Sequence, residues 1–410
     1  LAAGEPKSRF SFANWIYRDF ALLQLARVLV YTSMSMVGVA VGWQVYDLTG
    51  SALQLGWTGL AIFIPKLTFS LIGGDIADRF NRLRVLNLDL FLLTFAVAAL
   101  WWYAKSPDIT TPGIFALIAL CSAIQSTGGP SQTSLLPQLV PPDKLSRAVA
   151  WGSSFWQASS IAGPAIGGLL YGATGKAHSV YGVAAISIGL GALCTLLVRP
   201  PATMPKPQGL MLQRLREGIR FVAQEKVILG AISLDLFAVL LGGAVALMPV
   251  YAKDVLGLGP EGLGMLRSAP ALGAAVMATW LGVRPIRRHA GSKLFWGVLG
   301  FGVATCVFAL SKTLWLSVTA LFVLGASDMI SVVIRHTLIQ VRTPMHMRGR
   351  VSSVNQVFVG ASNELGEFES GLTAHWFGVV PAVLAGGLGT IVVMLSWKKF
   401  FPTLFKTDSL

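Results

Sequence analysis

Apolar stretches recur along nearly the whole chain, separated by short polar breaks, and each is about the 20 residues that an α-helix needs to cross the hydrocarbon core of a bilayer. Reading the runs between breaks predicts twelve spans, at 20–46, 52–76, 84–104, 112–136, 147–172, 178–198, 227–251, 262–283, 293–311, 314–341, 350–376 and 379–400. Composition agrees: of 410 residues 54% are hydrophobic and 12% charged, against roughly 25% charged in soluble domains. An all-α integral membrane protein is expected, with helices rather than barrel strands doing the spanning. Phe20 to Tyr46 is too long for the apolar core of a signal peptide and is followed by no small-residue cleavage site, so it reads as a retained first span.

A net charge of +14 invites a nucleic-acid reading, but its distribution argues against one. Bases at the very end of a span are counted with the adjoining loop or tail. Four of the 32 Lys and Arg then fall in odd-numbered loops (Lys105, Lys176, Lys253, Lys312) and four within spans (Arg27, Lys66, Arg267, Arg335), which leaves 24 in the tails and even-numbered loops. This positive-inside bias puts both termini, residues 1–19 and 401–410, in the cytoplasm. No nucleic-acid partner is needed to explain the charge.

The long polar segment 199–226 divides the spans six and six, into 20–198 and 227–400. It opens as a proline-broken linker, RPPATMPKPQG, and continues with Leu212, Leu215, Ile219 and Val222 at helical spacing among bases, as suits a helix lying along the cytoplasmic surface. Two six-span halves suggest an internal duplication, with pseudo-two-fold symmetry, a construction common in secondary transporters. GATGKA lacks the leading Gly and the following Ser or Thr of a P-loop, so ATP is not expected to power the protein directly. Cys121, Cys194 and Cys306 show no paired spacing and the five histidines no H-E-x-x-H, so neither a disulfide framework nor a metal site is expected.

Between spans 2 and 3 stands GGDIADRFNRLRVL, residues 73 to 86. It resembles the cytoplasmic signature of the major facilitator superfamily, with Gly74, Ile76, Ala77, Asp78, Arg79 and Arg82 in register, Asn81 in place of the usual Gly and Leu83 in place of a base. The resemblance implies the twelve-helix facilitator fold and a conformational latch at this loop; the alternative is a loop that only sets topology. The matching loop of the second half, RPIRRHAGSK, has no acid. In span 5, SSIAGPAIGG resembles the G-P-x-x-G-G element associated with antiporters, where Gly163, Gly167 and Gly168 let another helix approach and Pro164 permits a bend. Small-residue packing in any bundle would look similar. Residues 234–256, 325–344 and 348–371 resemble the subgroup of bacterial facilitators that includes the enterobactin exporter. That resemblance implies a monomeric, proton-driven exporter of a siderophore or drug in the bacterial inner membrane, with a small-molecule substrate and no cofactor beyond the proton gradient.

Ionised groups at mid-membrane cost roughly 2.5–3.5 kcal/mol even on the insertion scale, so those inside spans are expected to face a cavity or a partner. The interior set is Arg27, Lys66, Asp235, Arg267, Asp328, Arg335, Glu364 and Glu367, with Glu369 nearby. At about 100° per residue Glu364 and Glu367 share one helical face. Two such carboxylates cannot both ionise cheaply in a low dielectric, and at least one is expected to hold a proton near neutral pH. This pair couples transport to protons, or one of its members is locked to a fixed base such as Arg335 or Arg27, or the pair contacts the substrate.

Asp235 lies about 12 Å into span 7, at the depth of Arg27 in span 1, which makes these two a candidate ion pair or bipolar binding site and Asp235 the alternative proton carrier. Asp328 and Arg335 share a face of span 10, two turns apart. Lys66 follows Pro65 and reads as a base that snorkels or sits at a break in the helix, Arg267 as interfacial, and Asp89 as the inner end of span 3. Phe155, Trp156, Phe237 and Phe358 either line a cavity or pack, and Trp101, Trp102 and Tyr103 read as an interfacial belt. An intramembrane enzyme would need a nucleophile or metal beside the glutamates. Ser362, Ser370 and His375 form no recognisable arrangement there, so enzymatic activity is not expected.

Overall fold

The computed structural model describes the backbone of residues 12–141, 144–199, 211–286, 288–345 and 347–407; the side chains of 12–17, 70–79, 130, 133, 146 and 211–215 lie outside the described set. The first half holds α1 (Phe12–Thr49), α2 (Ala52–Arg79), α3 (Arg82–Tyr103), α4 (Thr111–Leu139), α5 (Leu145–Thr174) and α6 (Ala177–Leu196). Then comes α7 (Met211–Gln224), off the bundle. The second half holds α8 (Lys226–Leu241), α9 (Met248–Val250) running into a π-helical turn (Tyr251–Val255), α10 (Pro260–Val283), α11 (Ala290–Leu310), α12 (Leu314–Arg342), α13 (Arg348–Phe377), α14 (Val379–Phe400) and the short α15 (Pro402–Phe405).

The seventh predicted span departs from a single helix. α8 stops at Gly242, and a turn carries the chain to Pro249 and the π-helical residues. The sequence LLGGAVALMPV accounts for the break: two glycines cost helix stability and the proline has no amide hydrogen. Such backbone is tolerated at membrane depth where protein covers it, and a Cβ at Gly243 would meet the Gly366 carbonyl of α13.

The two halves are packed alike. In the first, α1 packs on α5 and α6, α3 on α4 and α6, and α2 on α4; in the second, α8 packs on α13 and α14, α11 on α12 and α14, and α10 on α12. Each pair in one half has its counterpart in the other, as an internal duplication requires. The left-handed glycines repeat too. Gly50 and Gly257 end the first hairpin of each half, and Gly175 and Gly378 the last, all with positive φ that a side chain would resist. These four mark the far face, opposite the terminal face that carries the chain termini and the linker.

The halves meet along two seams, α2 against α13 and α5 against α10. Seven spans among the described residues, α1, α3, α4, α6, α11, α12 and α14, are apolar enough by length and composition to cross a membrane; the four seam helices and the broken α8 are not. Each seam helix turns one face to its partner across the seam, and polar and small residues are tolerated on that face. A Cβ at Gly371 would lie 2.7 Å from the Cα of Gly56, and one at Gly168 2.7 Å from the Cα of Gly264. Both approaches are in the far halves of the helices. The far face is further clasped from α1 to the π-helical turn, where Tyr46 donates to Asp254 and Lys253 Nζ lies 2.5 Å from Asp47. Toward the terminal face the bundles part around a cleft of about 940 Å³.

α7 packs on the terminal end of α13, through Glu217–Arg350 at 2.6 Å and the close approach of Gly218 to the Arg350 carbonyl. Val222 is buried with Ile228, Val351 and Val354, whereas Ile219 is exposed; Leu212 and Leu215 lie outside the described side chains.

Because backbones touch at the seams, Gly371→Leu is expected to push α2 and α13 from the short toward the long end of the about 8–10 Å interaxial range. Spin labels on the far ends of the two helices would report the separation as a longer inter-label distance.

Candidate functional site

The seam between α2 and α13 carries charge where it would otherwise be packed glycine. A Cβ at Gly59 would lie 2.8 Å from both the Glu364 carbonyl and the Glu367 Cβ, so the bare α2 backbone lets α13 bring its carboxylates in. Glu364 Oε1 accepts from Lys66 Nζ at 2.5 Å, from one bundle to the other. Its Oε2 is buried with no hydrogen-bond partner among the described residues.

Beside this pair lies a cavity of about 320 Å³ lined by residues of both bundles, its charges being Lys66, Arg267 and Glu367 and its polar groups including Thr58, Ser122 and Gln125. Arg267 reaches across from α10 to α1, where Gly38 and Gly42 leave room for its guanidinium. Two bases and two acids therefore share one layer at the closed end of the cleft.

Several expectations change. Glu364 is paired with Lys66, not with Arg335 or Arg27, and Lys66 is a seam residue rather than a snorkelling one. Arg267 is not interfacial but lines the inter-bundle cavity. The reading of the two glutamates rested on the acids alone; Lys66 and Arg267 stand in the same layer beside them.

Asp235 and Arg27 are not brought together. Asp235 pairs with Arg335 of α12 inside the second bundle, both side chains buried, and Asp328 lines the same small void with Ser327 and Ser331. Arg27 stays in the first bundle, donating to Gln24 at 3.2 Å and lying over the Tyr31 ring. Asp89 is buried in the α3–α4 contact rather than at a helix end, accepting from Thr127 at 3.0 Å.

The larger cleft is lined by Arg27, Trp156, Gln157, Thr279, His336 and Gln356, among others. Trp156 thus faces a cavity. Phe237 and Phe358 do not line it: Phe237 lies on the Trp397 ring of α14 at 5.2 Å, and Phe358 packs with Ile339, Val351 and Val354. Phe155 packs on Trp151.

The span 5 element sits on two contacts at once. Gly163 and Gly167 face Ser35 and Met36 of α1, Gly168 faces Gly264 of α10, and the Pro164 carbonyl faces Gly264 as well. Of the signature between spans 2 and 3, the side chains of Gly74, Asp78 and Arg79 lie outside the described set. Arg82 is described and lies 3.5 Å from the Ser134 carbonyl. Asn81, which stands where the family pattern has Gly, caps α3 by accepting from the amides of Leu83 and Arg84.

Sequence reasoning ranked Lys66 and Arg267 low, since a base near a proline or a span end has ordinary explanations. The signal was glycine spacing around the layer, Gly56 and Gly59 on α2, which α13 approaches, and Gly38 and Gly42 on α1, which Arg267 approaches.

Two pseudo-symmetric six-helix bundles, closed at one face and cleft at the other around a charged layer, have the architecture of a membrane transporter. The chain belongs to the Major Facilitator Superfamily, whose family model matches residues 23–366. It is 28% identical over 379 residues to the Enterobactin exporter EntS of Shigella boydii, covering 91% of this chain and 86% of that protein, and likewise 28% identical to the Enterobactin exporter EntS of Escherichia coli O1:K1. Similar solved structures include a bacterial homologue of the lysosomal transporter Spinster, inward-facing and unoccupied (TM-score 0.75, 12% identity, 96% of this chain and 97% of that one). A bacterial homologue of the iron transporter ferroportin, inward-facing, is also similar (TM-score 0.70, 17% identity, 93% and 98%). At these identities the structures speak for the fold. The protein is a multi-pass membrane transporter, not an enzyme.

Neutralising Lys66 as Met leaves Glu364 without its cross-bundle partner and is expected to loosen the far face, while the exchange Lys66→Glu with Glu364→Lys restores the attraction. A cysteine at Leu55, buried in the closed state, should gain maleimide reactivity by about tenfold in the single variant and regain wild-type protection in the exchange.

Proposed function

We propose that the protein is a proton-coupled exporter of a siderophore or other bulky amphipathic small molecule, carrying it from the cytoplasm across the bacterial inner membrane as a single chain. The observation that carries the reading is the Lys66–Glu364 pair across the seam. With the far face closed, Lys66 occupies Glu364. When the bundles rock and the seam opens, the carboxylate loses its base and a proton from the far side takes that place. Closing the seam again returns Lys66 to Glu364 and expels the proton into the cleft. Each cycle moves a proton from the far face to the terminal face, and the substrate leaves in the opposite sense. Glu367 and Arg267 belong to the same exchange. Asp235, held by Arg335 inside one bundle, keeps its partner through a rigid-body motion and is a structural pair in this scheme.

The direction rests on topology: 24 of the 32 bases lie in the tails and even-numbered loops, which puts the terminal face, and the open cleft, in the cytoplasm. The substrate class rests on the cleft. About 940 Å³ lined by Trp156, the base Arg27 and the amides of Gln157 and Gln356 suits a bulky solute with aromatic and anionic groups. The exporter relatives support the same sense of transport. The proton gradient is the energy source of this scheme, and no cofactor is involved.

The test is uptake into inside-out proteoliposomes with and without an acid interior, using catecholate and hydroxamate siderophores and amphipathic dyes. Accumulation is expected to require the acid interior and to fall by at least about tenfold in Glu364→Gln, whereas Asp235→Asn with Arg335→Gln, which removes the internal pair together, should retain coupling. Coupling that survives Glu364→Gln would remove this carboxylate from the mechanism. Failure of every panel member would redirect the search to lipids, peptides and metals.

A further inference from the structure

The cavity of about 320 Å³ at the charged layer shares no lining residue with the larger cleft, yet lies in line with it. On α1 the cleft is lined by Arg27 and the cavity by Met34, two turns on, which is the same helical face about 10 Å deeper. On α4 Leu136 lines the cleft and Gln125 the cavity, again on one face and about 16 Å apart. A solute in the cleft therefore meets the cavity from the terminal side.

Three polar side chains of this cavity are unused. Arg267 enters from α10, and its buried Nε has no hydrogen-bond partner among the described residues. The terminal nitrogens of Arg267, the Glu367 carboxylate and the Gln125 amide likewise have no hydrogen bond or ion pair among the described residues. The other polar groups of the lining are engaged. Lys66 holds Glu364, Ser122 donates to the Ile62 carbonyl at 2.7 Å, Ser126 to the Ala123 carbonyl at 2.7 Å, and Thr58 to the Gln54 carbonyl at 3.2 Å.

Arg267 and Glu367 thus face one cavity without pairing across it, one charge of each sign. A buried charge is costly until it is paired and hydrogen-bonded, and the group that would answer this couple is itself bipolar. A lone carboxylate would satisfy Arg267 but stand beside Glu367; a lone amine would satisfy Glu367 but face Arg267 and Lys66. A zwitterion meets both and brings no net charge into the membrane. Much of the remaining wall is aliphatic, from Val37, Val41, Leu55, Ile62 and Ile118. The volume is at the small end of the about 300–1,000 Å³ that ligand sites occupy. We infer that this cavity binds a free amino acid with an apolar side chain, its carboxylate on Arg267, its ammonium on Glu367 and its side chain against the aliphatic wall. The site goes beyond the transport reading and depends on neither its direction nor its coupling.

The full chain in detergent, with tritiated L-leucine in a scintillation proximity assay, tests this at equilibrium. No gradient or turnover is involved, so failure here and failure of siderophore export are separate results. Wild type should bind leucine saturably. Unlabelled leucine should displace it at least about tenfold better than leucinamide, which lacks the carboxylate, or isocaproate, which lacks the ammonium, as expected of one charged hydrogen-bonding group lost. Arg267→Gln should abolish the advantage over leucinamide and keep that over isocaproate, and Glu367→Gln should do the reverse, a crossed pattern that general loss of fold does not produce. Should either variant fail to fold, the analogue series on wild type decides. Absence of saturable binding, displacement by either analogue as good as by leucine, or equal loss of both advantages in both variants would overturn the assignment.

Discussion

Lys66 reaching Glu364 joins the two bundles by charge across the seam, and the proposed transport scheme turns on it. Along the seams the bundles otherwise touch through glycine, Gly56 on Gly371 and Gly168 on Gly264, and a second charge pair, Lys253 with Asp47, joins them at the far rim; dispersion between bare backbones has no sign that a gradient can reverse. A charge pair does. In the proposed scheme each partner belongs to a different bundle, so a proton on Glu364 would remove an attraction between whole bundles, and the short range of packing would make the response two-state rather than graded. The surrounding sequence serves that arrangement: glycines on α2 admit the carboxylates, glycines on α1 admit Arg267, and the four seam helices are less apolar than those that face lipid.

The halves repeat in packing but not in charge. Helix pairings and left-handed corner glycines recur from one half to the other, since both are set by backbone geometry, which a duplicated sequence preserves while its side chains diverge. The ionisable residues do not recur. Asp235 and Arg335 neutralise each other inside the second bundle, while its first-half counterpart by depth, Arg27, stands at the cleft against Gly152 of α5. The acids of the charged layer come from α13; its first-half counterpart α5 meets α10 largely through small residues, with the Glu261 side chain against Gly172 and Gln157 donating to the Ala271 carbonyl. The second bundle thus carries the acids of the layer and the first supplies the cleft's base and indole.

Much of this was legible in the sequence, and the reasons differ by residue. Helix number and type followed from apolar length, which the bilayer dictates locally. The break at Gly242 was foreshadowed by the paired glycines, yet periodicity over a uniformly apolar run cannot say where a buried helix stops. Asp235 and Arg27 matched in depth but not in bundle, because equal depth in two halves related by symmetry places residues on corresponding sites, not on facing ones. Phe237 read as a cavity residue from its span; the helix's rotation turned it onto Trp397 instead.

By itself, then, the sequence determined that the chain spans a membrane as twelve helices in two sixfold groups, that basic loops collect on one face, and that a few charges are sunk where lipid would reject them. Those are one-dimensional facts of length, composition and order, each enforced by the cost of exposing polar groups to hydrocarbon. Only the tertiary structure decided which base meets which acid, which face of the molecule is shut, and that Lys66 and Arg267 belong to the layer at all. Helix rotation and the meeting of distant segments set those choices, and pairing across 298 residues of sequence leaves no local trace in either partner.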